Sequence, residues 1–476
     1  MTIFIVTYCN IPYLCKMIYT KFKLFCLLCT SLFLMYSCTS SQNEVLYSQR
    51  MVESLALSPS SNDGDPQLAR TSWGYVTGLV ANSVLKAWVQ YPEKTEYYLA
   101  VKHFADLNIL EGDSVKVEAH NIDDIAAGKI FFILYLTEKE NGNLADAMRY
   151  KRCADFLRNK LKYEHRRIED SQPGAGRWIH KARYPGQLWL DGLYMGPAFY
   201  AEWQQYFWEE EGYDANVESW TDIAQQFEIN FDHTWNSEKQ LNYHAWASDP
   251  YEPNAFWAQK DGPNRGASSE FWGRGVGWYF AAIVDALEWM PAQHPNRQRL
   301  EEITRMIATG LAKHQCQKTG CWYQLLQYDD SKCADGTGDT MNETVYNKCD
   351  NCNYLESSAS SMFTYSFLKG IRINVLDKAT FLPVALKAYQ GLIDTFITEN
   401  EDGSINIIQS CNSAGLGPIG VFPGVGIGES RTGTANYYLC GGDSYITQNE
   451  GKAIGPFIMA SLEAELAGIL PVFTHY

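Results

Sequence analysis

Basic residues are scarce in this chain of 476: 39 Lys and Arg stand against 55 Asp and Glu, a formal net charge of −16. So acidic a body argues against nucleic acid as a partner, because phosphate contacts need a basic footprint. Long runs of alternating apolar and polar residues are absent too, which speaks against a sheet-dominated fold. No low-complexity stretch interrupts the chain after its first sixty residues, and with 46% hydrophobic and 20% charged residues the whole chain has the composition of a globular protein. No strict repeat period is visible, so a stacked solenoid is disfavoured. The Cys349-x-x-Cys352 pair has no partner pair of Cys or His at metal-ligand spacing, and structural disulfides are the better reading of the cysteines.

The N-terminus reads as a processing signal. Met17 opens a stretch with Lys21 and Lys23, an apolar run from Leu24 to Tyr36 follows, and Ser37 precedes Cys38. A basic start, a short apolar run and a small residue before the cut are the marks of an export signal. The run is short of the ~20 residues that span a bilayer. Cys38 after a small residue resembles the lipobox of bacterial lipoproteins, although Met35 stands where Leu is usual. Residues 1–37 are therefore expected to be removed, with Met17 as the true start. Residues 38–60 are expected to form a linker anchored by lipid at Cys38, and the protein to sit in the periplasm, tethered to a bacterial membrane. Eight cysteines then remain (Cys153, Cys316, Cys321, Cys333, Cys349, Cys352, Cys411 and Cys440), and in an oxidising compartment some should pair.

Helical spacing dominates the rest. Phe363, Phe367 and Ile371 recur at i, i+4, i+8, as do Ile458, Leu462 and Leu466, each set one apolar stripe on a helix. Further helices are expected at 76–90, 93–108, 127–137, 143–161, 192–209, 217–235, 275–290, 297–315 and 383–398. Roughly a dozen helices joined by Gly- and Pro-rich connectors, without a linker between them, suggest helix pairs packed side by side in a ring; an irregular bundle is the alternative.

Aromatics make up 14% of the chain, and many fall in connectors. Sugar faces stack on such rings, though plugging a wide core is their commoner use. The run from His180 to Met195 sets Asp191 among apolar side chains at a loop-to-helix start, just after His180, Lys181 and Arg183. Apolar surroundings raise a carboxyl pKa and let it hold a proton for donation; the competing reading is a helix N-cap. Asn121-Ile-Asp123 precedes another helix and carries the same ambiguity.

Several segments together resemble one family. They are Trp73-x-Tyr75-x-x-Gly78-Leu79, Asn121-Ile-Asp123, Lys181-x-Arg183-Tyr184-Pro, Trp189-Leu-Asp191-Gly-Leu-Tyr194-Met195, His244-Ala-Trp246, Glu270-Phe-Trp272-Gly-Arg274-x-x-Gly277-Trp278, Trp322-Tyr323-Gln324, Glu356-Ser-Ser-Ala-Ser and Ala414-Gly-Leu-Gly. In this order they resemble the unsaturated rhamnogalacturonyl hydrolases of glycoside hydrolase family 105, and more loosely the glucuronyl enzymes of family 88. The resemblance runs from about residue 50 to 470. It implies an all-α, single-domain (α/α)6 barrel, here residues 61–476, with Asp191 as catalytic acid/base and Asp123 as the second essential carboxylate. It further implies that Tyr75, Lys181, Met195, His244, Trp272 and Arg274 bind the sugar, with Arg274 or Lys181 meeting its carboxylate.

Three departures stand out. Ala247-Ser248-Asp249 displaces the acid usual after His244-Ala-Trp246, and the connectors 329–353 and 164–176 are longer than the family's. The implied substrate is a lyase-generated, pectin-like oligosaccharide ending in a 4,5-unsaturated uronic acid, hydrolysed by hydration of the double bond without metal or organic cofactor. A glycan-binding lipoprotein, or a saturated-sugar glycosidase or lyase on the same barrel, are the competing classes.

Overall fold

The computed structural model describes residues 46–56, 72–334, 351–418, 421–422, 426–427, 430–441 and 443–469. The predicted signal segment, Cys38 and Cys349 lie outside the described residues, and from Leu46 onward the chain forms one unit. Its helices are α1 (Tyr47–Glu53), α2 (Tyr75–Gln90), α3 (Thr95–Asn108), α4 (Asp123–Ala126), α5 (Ile130–Glu140), α6 (Leu144–Asn159), α7 (Asp191–Met195), α8 (Pro197–Phe207), α9 (Tyr213–Thr234), α10 (Gly273–Trp289), α11 (Arg297–Lys313), α12 (Ser357–Arg372), α13 (Lys378–Phe396), α14 (Ala435–Cys440) and α15 (Gly451–Leu466). The described strands are two or three residues long.

Burial sorts the helices into two layers. α10 is buried without a break from Gly273 to Leu287, α12 from Ser357 to Gly370 and α15 from Gly451 to Ala464. A helix buried all round needs neighbours all round. α11 instead buries a stripe of Leu300, Ile303, Ile307 and Leu311 and leaves Arg299, Glu302 and Arg305 toward solvent, as an outer helix must. Inner stretches follow one another as α2, α4 with α5, α7 with α8, α10, α12 and α15, and α15 packs back on α2 to close the ring. Outside it lie α1, α3, α6, α9, α11 and α13. This is the (α/α)6 barrel that the resemblance implies.

Close packing in the ring accounts for two glycines. A Cβ on Gly78 of α2 would lie 2.4 Å from both Cα and Cβ of Ala127, and one on Gly455 of α15 would lie 2.7 Å from Leu79. Neighbouring inner helices touch there nearly backbone to backbone.

The boundaries depart from the sequence reading in two places. α13 begins at Lys378 rather than 383, because the Asp377 side chain accepts from Thr380 N–H at 2.7 Å and secures a first turn ahead of Pro383. The expected linker 38–60 is not linker throughout, since its residues 47–53 form α1. There Tyr47, Met51 and Val52 are buried, and the backbone N–H and hydroxyl of Ser48 donate to Glu465 on α15 at 3.1 and 2.6 Å. The domain therefore starts well before residue 61. Cys352, half of the C-x-x-C pair, is bonded to Cys333, and Cys440 is also in a disulfide. Cys153, Cys316, Cys321 and Cys411 are free.

Candidate active site

Three inner helices begin with a residue that faces one cavity: Tyr75 opens α2, Asp123 opens α4 and Asp191 opens α7. Neither carboxylate caps its helix, because the capping positions are Ile122 and Leu190 and no side-chain cap bond forms. The N-cap reading of both acids is thereby set aside. Converging helix N-termini carry partial positive charge, which works against the acidity of the rest of the chain where an anion would enter.

Asp191 is positioned by a short antiparallel pair. β1 (Gln187–Trp189) runs against β2 (Ala245–Ala247), with Trp189 opposite Ala245, and Leu190 N–H donates to the His244 carbonyl at 3.1 Å. One residue further on, Asp191 Oδ2 meets His244 Nε2 at 3.2 Å. Burial pushes the Asp191 carboxyl up, but the hydrogen bond to His244, with the lesser electrostatic pull of the His244 and His180 rings, outweighs it and holds Asp191 below its ordinary value. The apolar neighbourhood read from sequence suggested the opposite direction. The imidazole that reverses it comes from 53 residues down the chain.

Asp123 is held by the 180–182 loop. Asn121 bridges to Lys181, Ile122 N–H donates to the His180 carbonyl at 3.2 Å, and Lys181 Nζ reaches Asp123 Oδ2 at 2.5 Å. Asp123 Oδ1 faces His180 Nε2 at 3.4 Å and makes no hydrogen bond, which leaves it able to accept from a hydroxyl of a bound sugar. His180 lies stacked on Trp189 at 4.8 Å, and Trp189 on Tyr184 at 4.7 Å. Burial pushes His180 down to about 4, so it is neutral at pH 7.

The cavity, about 140 Å³, is lined by Tyr75, Asp123, His180, Lys181, Asp191 and Met195, joined by Arg183, Tyr184, Trp189, Ser413–Gly415 and Arg431. Three sequence candidates stand behind this wall. Trp272 is buried against His244, ring centres 4.5 Å apart, and its Nε1 donates to Gln324 at 3.1 Å. Arg274, 0% exposed, donates to the carbonyl oxygens of Cys411 and Asn412. It ties down the segment leading to Ser413–Gly415 and does not line the cavity. His244 likewise reaches it only through Asp191.

Arg431 escaped the sequence reading because no motif surrounds it. It pairs with Asp443 at 2.8 Å and lies 3.5 Å from the Tyr184 hydroxyl. Gly415 allows this: a Cβ there would sit 2.4 Å from the Arg431 guanidinium.

Residues 47–467 match the sequence family described as Glycosyl Hydrolase Family 88. The chain belongs to that family. Within it, the chain is 32% identical to a solved glycoside hydrolase from family 105 of C. acetobutylicum ATCC 824, covering 89% of this chain and 100% of that one, with a TM-score of 0.70. This family 88 chain therefore falls with the family 105 enzymes, as its motifs implied. It is 24% identical over 248 residues to the unsaturated 3S-rhamnoglycuronyl hydrolase of Alteromonas sp. (strain LOR), 52% of this chain and 54% of that one. It is 22% identical over 260 residues to the unsaturated rhamnogalacturonyl hydrolase YesR of Bacillus subtilis (strain 168), 55% of this chain and 66% of that one. A family 88 glycoside hydrolase with two carboxylates at the foot of one cavity is equipped for acid and base chemistry on a sugar.

Proposed function

We propose that this enzyme removes a 4,5-unsaturated uronic acid from the non-reducing end of an oligosaccharide left by a polysaccharide lyase, rhamnogalacturonan-type pectin fragments being the preferred class. The observation that carries the reading is the buried Asp191 carboxylate, facing the cavity and paired with His244 at 3.2 Å instead of capping its helix. The two relatives named for unsaturated uronyl substrates support it.

In the first step protonated Asp191 gives its proton to C4 of the double bond, and positive charge develops at C5 beside the ring oxygen. Water then adds to C5 as the Asp191 carboxylate takes its proton. The resulting hemiketal opens and releases the neighbouring sugar. One group serves as acid and then base, so its position and proton affinity carry the rate. Asp123 receives a ring hydroxyl. Of the cations along the cavity, Lys181 is engaged by Asp123 and Arg431 by Asp443. Arg183, exposed and lying against Tyr184, has no acidic partner among the described residues and is the one to meet the sugar's carboxylate.

Turnover in ¹⁸O-labelled water tests the chemistry. The label is expected on C5 of the uronic acid, the ultraviolet absorbance of the conjugated double bond should vanish in step with product release, and a saturated analogue should stay intact. Label at C1, or cleavage of the saturated analogue at a comparable rate, would return the two acids to an ordinary glycosidase pair. A glycan-binding protein without activity would give no release at all.

Export and lipid anchoring at Cys38 belong to the same proposal. Cys38→Ala should release the protein from the membrane fraction with its activity unchanged. A wild-type protein already found in the soluble fraction refutes the anchor and leaves the enzyme reading intact.

A further inference from the structure

His244 has a second contact that the reaction above does not use. Its Nε2 faces Asp191, and its Nδ1 lies 2.7 Å from the hydroxyl of Tyr438. Tyr438 is fully buried on α14, far from His244 in sequence and outside the motifs. Its ring packs along Trp272, centres 6.0 Å apart, and Trp272 in turn packs on His244. Asp191, His244 and Tyr438 thus form a line running from the cavity into the protein.

We propose that Tyr438 is a positioning residue that fixes His244 as the tautomer carrying its hydrogen on Nε2, so that Asp191 always faces a donor. The proposal rests on the reading of Asp191 as the acid/base. In neutral imidazole one ring nitrogen carries the hydrogen and the other accepts, and the partner of one nitrogen decides the role of the other. His244 Nδ1 is the hydrogen-bond contact of the Tyr438 hydroxyl among the described residues. A buried hydroxyl proton without an acceptor is costly, so the hydroxyl donates to Nδ1 and Nε2 must carry the hydrogen. Nε2–H then donates to Asp191, consistent with the direction in which His244 moves that carboxyl.

The consequence for catalysis is specific. A carboxyl held by a donor is a stronger acid once protonated, which suits delivery of a proton to carbon, and a supported carboxylate is ready for the water that follows. The cost is that fewer molecules carry the proton as pH rises. Without the Tyr438 hydroxyl, Nδ1 can take the hydrogen and Nε2 can accept from protonated Asp191, which makes Asp191 easier to protonate and weaker as an acid. Other groups share the neighbourhood. His180 faces Asp191, with Asp123, Lys181 and Arg177 around His180; Tyr75 faces Asp191 and Asp123 from α2; Glu270, Cys411 and Asp443 face Tyr438. Of these, Glu270 is pushed up to about 7 by its burial, and its titration could imitate a change at Asp191.

The test has two arms. In the ligand-free enzyme, ¹⁵N correlation spectra of the histidine rings, with His244 assigned through His244→Gln, should show Nε2 protonated and Nδ1 an acceptor in the wild type, and a mixture of tautomers in Tyr438→Phe. In turnover of an unsaturated disaccharide, Tyr438→Phe should lower kcat about tenfold, within the range of acid–base effects, with KM unchanged. Its alkaline limb of kcat should move up by about one pH unit, the size of shift that one hydrogen-bond change produces. The same displacement should persist in a Glu270→Gln background. An Nδ1-protonated wild-type ring, the same tautomer in both proteins, or an unmoved alkaline limb overturns the proposal. A wild type with the expected tautomer that fails to turn over any unsaturated disaccharide overturns the reaction instead and leaves the tautomer assignment standing.

Discussion

Asp191→Asn should fold normally and lose turnover by about 10²–10⁴-fold, the usual worth of a positioned acid–base group. The amide keeps the shape of the carboxylate, and its oxygen can still accept from His244 Nε2, so the local packing has no reason to change. What it lacks is a proton it can release at C4 and a site to receive one from water, and both halves of the reaction stop together. The measurement is loss of ultraviolet absorbance from an unsaturated disaccharide, alongside a thermal melt matching the wild type. More than about a hundredth of the activity surviving in a normally folded variant would remove Asp191 from the centre of the mechanism.

Arg274→Ala should behave quite differently. The side chain is buried and donates to the carbonyls of Cys411 and Asn412, and truncation leaves those oxygens without a donor. Each buried unsatisfied group costs about 1–3 kcal/mol, so a stability loss of about 3 kcal/mol is expected in a denaturant titration. Because Ser413–Gly415, one wall of the cavity, follows directly, kcat/KM should also fall by about a hundredfold, as small displacements in a site do. A variant as stable as wild type that merely binds anionic sugars more weakly would show that Arg274 meets the substrate itself. The neighbouring Glu356 makes that outcome less expected, since its carboxylate accepts from Cys411 N–H at 2.9 Å and also caps α12. Two buried side chains of opposite charge therefore grip one stretch of backbone.

Much of the architecture was legible in sequence because helical periodicity is local. The stripes at Phe363–Ile371 and Ile458–Leu466 lie on α12 and α15, and most predicted helices lie within a few residues of the observed ones. The dipeptide Leu190-Asp191 and its motif pointed to the cavity correctly. What could not be read was which neighbour each side chain would meet. The ionisation of Asp191 depends on His244, brought alongside by a three-residue strand pair too short to leave a pattern. Trp272 and Arg274 lie together in a family motif of their own, yet one backs His244 and the other turns to the 411–412 backbone. Arg431 and Tyr438 come from a stretch without any recognisable run, and only the folded ring brings them near Asp191. Chemistry at a site is a property of contacts between distant segments, and a motif reports a single segment.

The way the ring closes has a bearing on when the enzyme can exist. α2 and α15 are adjacent in the barrel but separated by most of the chain, and α1 packs on α15 as well. Contacts of that reach form late and slowly, after the loop entropy of the whole intervening chain has been spent. Tyr75 at the head of α2 lies against Lys452 of α15, where the ring closes. A nascent chain holds open-sided helix pairs with apolar faces uncovered until α15 arrives. Activity should therefore depend on the docking of α15, and any process that keeps α15 from docking should keep the catalyst switched off.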